Sequence, residues 1–188
     1  MAGPPLGYPP GEPDARTVQI KFCAHCGQAV VYRFTHGAVR PVCPACQRIH
    51  FLDPKVAVAI IIERDDALLM IRRRGEPERG KWSMPAGFVD AGEDVQRAAE
   101  REAFEETGLR VRVTELLDVI PKSAPNEGAD ILIVYRAEVV GGELRAGDDA
   151  DRAEFFRREA LPGDLAFAAT RIVLQRWRAN AFRSPRPE

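Results

Sequence analysis

The sequence predicts an α/β fold, a mixed sheet with helices on both faces, preceded by a small four-cysteine zinc ribbon. Three observations lead there. All four cysteines fall into two CxxC pairs, Cys23/Cys26 and Cys43/Cys46, with 16 residues between the pairs. The run VAVAIII, Val56 to Ile62, is unbroken, apolar and mostly β-branched, the mark of a strand buried on both faces. Residues 87 to 109, GFVDAGEDVQRAAEREAFEETGL, read as a glycine-containing loop opening into an acidic helix.

Residues 1–16 are rich in Pro and Gly and lack the basic start and apolar stretch of a signal peptide. They are expected to be a flexible tail. Residues 17–52 carry the ribbon, where the pair spacing is that of a four-cysteine zinc site. Disulfides and a redox CxxC are the alternatives. The missing secretory signal argues against the first, and a second pair at ribbon spacing favours metal over the other. A closed shell of four thiolates has no position for water, so this zinc would hold a small domain together and hydrolyse nothing. His25, His36 and His50 are then surface residues or lie just outside the coordination shell.

Residues 53–183 form the second domain and 184–188 a short tail. A turn at Asp65-Asp66 leads from the first strand into ALLMIRR, its hairpin partner. Leu109 to Ile120 and Ile131 to Val140 read as further strands, and Gly141-Gly142 as a turn. Leu165 to Phe182 reads as a closing helix with Thr170, Leu174, Trp177 and Ala181 along one side, Trp177 in the core.

On the acidic helix Glu102, Glu105 and Glu106 stand at i, i+3 and i+4, within an arc of roughly 100°. Like charges so placed repel by a few tenths of a kcal/mol per pair. Most such runs are solvated faces, but helical phase argues against that here. Val95, Ala98, Ala99 and Leu109 project onto the same stripe, which turns from apolar to triply anionic partway along. Carboxylates where the core should continue point to a polar pocket at its edge, and a divalent cation would offset their repulsion.

The spacing Gly87, Glu93, Arg101-Glu102-Ala103, Glu105-Glu106, Gly108-Leu109 fixes nine positions over 23 residues. With GKWSMPAGFVDAGE around its start, the second domain resembles the Nudix hydrolases. The resemblance implies a Nudix α/β/α sandwich that uses water and Mg²⁺ or Mn²⁺ to cleave a nucleoside diphosphate linked to another group. It implies Glu102, Glu105 and Glu106 as catalytic metal ligands or water-orienting groups, with the Gly87 carbonyl as a further ligand. Glu93 and Arg101 would be an internal ion pair bracing the loop against the helix. The general base stays open between Glu105 and Glu102 in this motif and Glu127 and Asp130 in the later loop APNEGAD.

For substrate, Arg72, Arg73 and Arg74 cluster at the end of the second strand, and guanidinium groups grip phosphate bidentately. Strand alternation turns neighbours to opposite faces, and Arg72 and Arg74 are the candidates for contact. Lys122, Glu127 and Phe88, the last as a base-stacking ring, join them, while Trp82 is expected in packing. A ribbon followed by such a domain resembles two groups. One, the zinc-ribbon NADH pyrophosphatases that also remove NAD caps from RNA, carries an SQPWPFP-like motif where this chain has IPKSAPNEGADI. The other, shorter ribbon proteins similar to ADP-ribose and FAD pyrophosphatases, shares RPVCPACQRIHFLDPKVAVA, LAFAATR and the placing of Pro125. The implied reaction is hydrolysis of ADP-ribose, FAD or a related dinucleotide to AMP plus the other phosphorylated half. A house-cleaning nucleoside triphosphate pyrophosphatase, an NADH or NAD-cap pyrophosphatase and a non-catalytic nucleotide-sensing module are the alternatives. The last is opposed by the intact acidic positions.

Twenty-seven basic and 28 acidic residues give a formal charge of −1, so no global basic field attracts nucleic acid, which is not expected as a partner. No segment approaches the ~18 apolar residues of a membrane span. A cytoplasmic homodimer acting on a small nucleotide is the expectation.

Overall fold

The computed structural model describes residues 20–121, 128–180 and 182. Expectations placed on the N- and C-terminal tails and on Lys122, Pro125, Glu127 and Ala181 lie outside the described residues. The chain divides into two compact units, Met1–Asp53 and Pro54–Glu188.

In the first unit β1 (Val31–Thr35) and β2 (Ala38–Val42) form an antiparallel hairpin. Its turn residues His36 and Gly37 both have positive φ, 50° and 78°, which matches the natural twist of a two-residue hairpin loop. Each CxxC pair closes the same tight knuckle: Gly27 donates its N–H to the Cys23 carbonyl and Gln47 donates to that of Cys43, both at 2.9 Å. The knuckles bring all four Sγ atoms within 4.8 Å of one another.

In the second unit β3 (Val56–Arg64) turns at Asp65-Asp66 into β4 (Ala67–Arg73). Both aspartates have positive φ, 49° and 60°, a region Asp tolerates better than most side chains. Glu63 opposes Leu68 and Arg64 opposes Ala67, but the rest of that edge of β3 is taken by β6 (Ala86–Phe88). On its other side β3 runs parallel to β8 (Ile131–Gly142), which pairs antiparallel with β7 (Leu109–Pro121). Strand β4 also pairs with β5 (Trp82–Ser83) and β9 (Ala150–Arg157), completing a mixed seven-stranded sheet.

The strand VAVAIII serves two cores at once. Val58, Ile60 and Ile62 pack with Ala98, Ala99 and Ala103 of α1 (Val95–Thr107), while Ala59 and Ile61 pack with Val173, Leu174 and Trp177 of α2 (Ala168–Arg178). Ile60, Ile61 and Ile62 are fully buried, and burial of each stabilises the fold by roughly 1.5–3 kcal/mol. The expected sandwich is therefore present, with one helix on each face. Asp94 caps α1 by accepting from the N–H groups of Gln96 and Arg97, and Gly108 ends it in the left-handed conformation at φ 69°.

Two expectations change. Gly141-Gly142 is not a turn: both residues lie in β8, opposite Arg110 and Leu109. A Cβ on Gly142 would fall 2.3 Å from the Gly108 carbonyl oxygen, so glycine there serves close approach of two strands. The closing helix is shorter than its pattern, because Phe167 at φ 54° cannot continue a right-handed helix.

Candidate active site

The loop after β6 and the first turns of α1 bind each other through Arg101. Its guanidinium donates to both carboxylate oxygens of Glu93, at 2.8 and 2.9 Å, and to the Phe88 carbonyl at 3.1 Å. The brace expected between Glu93 and Arg101 is therefore in place, and it holds the Glu93 carboxyl down at about 2. The same guanidinium donates to Glu102 at 2.7 Å and Glu105 at 3.0 Å. One cation thus faces three carboxylates.

Glu106 has no such relief. It is 2% exposed, and its Oε2 accepts the Ala86 N–H at 2.9 Å; among the described residues it makes no ion pair. Desolvation pushes its carboxyl up to about 8, against the pull of the Ala86 N–H and helped by the negative charge of Glu102. Burial likewise raises Glu102 above the ordinary carboxylate range, opposed by Arg101. A deeply buried carboxylate without a cation is costly, and here it ends the very stripe that carries Ala98, Ala99 and Ala103.

The Gly87 backbone lies under this face, paired with Val58 in the sheet. A Cβ on Gly87 would meet the Glu102 carboxylate at 2.0–2.2 Å, so the glycine is required by the glutamate packed on it. The three glutamates do not converge as they stand: among the described residues only the four cysteines bring three or more ligand atoms within 4.8 Å of one another. Glu102 and Glu105 are drawn to Arg101, and Glu106 to the strand.

An apolar cleft of about 170 Å³ opens beside Ala86, Gly87 and Phe88. Its polar side chains are few: Arg73, Ser83 and Thr170, among walls that include Met84, Leu132 and Phe167. Arg73 stacks over the Phe167 ring at 5.0 Å, donates Nε to the Pro77 carbonyl, and its charge reaches Glu106. Ser83 and Thr170 are buried at 4% and 3% exposure.

The candidate substrate residues separate. Phe88 lines the cleft, half exposed, with the Lys55 ammonium 5.7 Å from its ring centre. Arg72 points elsewhere, in a two-pronged pair with Asp151 of β9 at 2.7 and 3.0 Å. Arg74 is exposed and outside the cleft lining. Asp130 lies beside β3, accepting the Lys55 N–H at 3.0 Å through its carboxylate. Trp82 packs edge-on against Phe156 at 4.8 Å, as expected of a packing residue.

Sequence reading missed Arg73, whose neighbours were preferred, and the pair Asp148 and Asp149. The loop before β9 docks on the end of α1: Gly147 donates to the Glu106 carbonyl at 3.1 Å and Arg145 to that of Thr107 at 2.9 Å. Asp148 and Asp149 thereby add negative charge next to Glu102 and Glu106 respectively. The run GDDAD was visible, but nothing local in the sequence places it against the acidic helix.

At the cysteine cluster, Sγ–Sγ separations of 3.5–3.7 Å suit four thiolates around one ion. The Cys46 N–H directed at the Cys43 sulfur, 3.5 Å away, is the largest influence holding that thiol down at about 6.

Comparison with known proteins agrees with both halves. Residues 53–176 match the NUDIX domain, and residues 21–51 match the zinc-ribbon segment described as Nudix N-terminal. An ADP-ribose pyrophosphatase of Methanocaldococcus jannaschii is 46% identical over 133 residues, 68% of this chain and 77% of that protein. The NAD-capped RNA hydrolase NudC of Edwardsiella ictaluri is 30% identical over 145 residues, 76% of this chain but 53% of its own length. Among solved structures, a NUDIX hydrolase from Nitrosomonas europaea superposes with a TM-score of 0.77 at 33% identity, covering 85% of this chain and 91% of that one. With its motif, fold and ribbon all matched, the chain belongs to the Nudix hydrolase family.

Proposed function

We propose that this Nudix hydrolase is a Mg²⁺-dependent pyrophosphatase that cleaves ADP-ribose or a closely related nucleoside diphosphate derivative to AMP and the other phosphorylated half. The observation that carries the reading is a buried carboxyl, Glu106, that makes no ion pair among the described residues and stands beside an apolar cleft. Its donor set fits a hard divalent ion: carboxylate oxygens from Glu102, Glu105 and Glu106 and the Gly87 carbonyl. Such an ion, when bound, neutralises phosphate oxygens and lowers the pKa of a coordinated water.

The chain's own groups do the rest. Arg101 keeps the loop against α1 and limits where Glu102 and Glu105 can reach. Arg73 stands between the cleft and the acidic face, placed to receive a phosphate oxygen, a role we assign to it ahead of Arg72 and Arg74. The apolar walls with Phe88 suit a planar ring, and Ser83 and Thr170 offer it hydroxyl partners. The charges of Glu102 and Asp149 act on the buried Glu106 and that of Asp148 on Glu102, and we take the general base to be among these groups and Glu105.

The name borne by the Methanocaldococcus relative supports the ADP-ribose assignment. Incubating the zinc-loaded protein and Mg²⁺ with ADP-ribose, FAD, NADH, diadenosine polyphosphates and nucleoside triphosphates, and identifying products by chromatography, tests it. AMP with ribose 5-phosphate from ADP-ribose as the preferred reaction is the expected result. Preference for triphosphates, with release of pyrophosphate, would overturn the substrate. Among the described residues no helix is long and apolar enough to cross a membrane.

A further inference from the structure

Residues 165–171, LAFAATR, carry the chain from the edge of β5 into α2. Leu165 bridges Trp82 in parallel, and the fully buried Ala166 donates its N–H to the Trp82 carbonyl at 2.8 Å. Arg171 donates to the Leu165 carbonyl at 3.2 Å, which ties the segment from its other end. Between these anchors Phe167 stands at φ 54° and ψ 148°, a region that a β-carbon makes costly and glycine enters freely. Such strain persists only where the surroundings over-determine it, and strained residues gather at working sites. The ring that this turn delivers lines the cleft, with Ala169 and Thr170 of the same segment.

Arg73 reaches the same cleft from the end of β4, where the register with β9 shifts between Arg72 and Arg73. Its guanidinium lies over the Phe167 ring, 5.0 Å from the centroid, and Nε donates to the Pro77 carbonyl at 3.0 Å. Among the described residues its Nη atoms have no acceptor and Arg73 makes no ion pair. Yet its charge acts on the buried carboxyl of Glu106. When Glu106 is ionised the two attract, and a closed pair would take both groups out of use. The ring and the Pro77 carbonyl hold the planar group elsewhere and leave one edge of it free.

We infer that Phe167 is a positioning residue: its strained backbone sets the ring against Arg73, and the ring keeps that guanidinium off Glu106 and available to the substrate's diphosphate. The inference rests on Arg73 being the phosphate-binding cation of this hydrolase. Bulk alone does not suffice for the role, because cation–π attraction needs an aromatic face, which Leu lacks and Tyr keeps.

The test is isothermal titration of the full-length, zinc-loaded protein with methylenediphosphonate in Mg²⁺, a diphosphate mimic without a base. Steady-state kinetics on ADP-ribose run alongside. Phe167→Gly removes the ring at a backbone position suited to glycine, Phe167→Leu keeps the bulk, and Phe167→Tyr keeps the aromatic face. The Gly and Leu variants should each bind the diphosphonate about tenfold more weakly and raise KM about as much, with kcat within about twofold. Phe167→Tyr should stay near the native chain. Arg73→Gln should weaken binding at least as far, and adding Phe167→Leu to it should cost nothing more. Unchanged diphosphonate binding in the Gly and Leu variants, beside a weakened Arg73→Gln, would overturn the inference and leave Arg73 its role. Losses that add in the double variant would also overturn it. So would a loss seen with ADP-ribose but not with the diphosphonate, which would make the ring a wall for the base. Arg73→Gln binding as well as the native chain would remove the assignment of Arg73, and the inference with it.

Discussion

The carboxylate of Glu102 occupies the space where any side chain on Gly87 would stand, 2.0 Å from an ideal Cβ. Glycine at this position answers to a close approach rather than to an unusual φ. Gly87→Ala must therefore push Glu102 off the strand and out of its contact with Arg101. We expect hydrolysis to fall by about two orders of magnitude while the melting temperature changes by only a few degrees. Steady-state kinetics and calorimetry on the purified variant would decide this, and near-normal turnover would show that Glu102 acts from elsewhere.

Glu106→Gln removes a buried carboxyl that makes no ion pair among the described residues. Turnover should drop on the order of a thousandfold, the several kcal/mol of charge stabilisation a lost metal contact represents. Stability without metal should rise only above about pH 8, where the glutamate would otherwise carry a buried charge. Differential scanning fluorimetry with and without Mg²⁺ separates the two effects.

The Glu106 carboxyl, raised to about 8, gives metal binding a pH dependence of definite sign. Between about pH 4.5 and 8 the folded state holds this proton more tightly than the unfolded chain, so metal-free stability declines as pH rises through that window. Divalent metal takes the anion, so its affinity should climb over the same range and level off near pH 8. Isothermal titration in buffers of different ionisation heat would detect the proton released. Flat affinity from pH 6 to 8 would contradict it.

Glu93 behaves oppositely. Its carboxyl is held near 2 by Arg101, so the pair's stabilisation is present above the ordinary value of 4.5 and is lost as pH falls from there toward 2. Thermal melts of the native chain and Glu93→Gln should differ most above pH 5 and converge toward pH 2. Parallel curves throughout would show that the ion pair adds nothing.

Metal analysis should find about one zinc per chain, released in parallel with the accessibility of four thiols. Chelation is expected to unfold residues 21–51 and leave the Nudix domain's cooperative transition in place, because the two units have separate cores. Loss of both transitions together would show that the units stabilise each other.

The parts legible in the sequence were those governed by local pattern. The loop from Gly87, the acidic helix with its Gly108 stop, the strand Val56 to Ile62 and the paired knuckles all depend on near neighbours, and each was readable. What escaped depends on partners far along the chain. Strand β9, with Arg152 and Glu154 among its residues, lacks the apolar run of an inner strand and is recognisable only once β4 pairs with it. That pairing gives Arg72 its Asp151 and leaves Arg73 to line the cleft, a distinction no alternation rule could make without knowing which face was occupied. Asp148 and Asp149 reach the acidic helix through backbone bonds from Arg145 and Gly147, again at long range.

The most direct test of the account is a metal titration of ADP-ribose hydrolysis by the native chain and Glu106→Gln, with products resolved by chromatography. The account predicts no hydrolysis after Mg²⁺ is stripped while zinc is retained, AMP and ribose 5-phosphate in proportion to Mg²⁺ bound, and almost none from the variant. Hydrolysis that proceeds equally without Mg²⁺, or a variant as fast as the native chain, would contradict it.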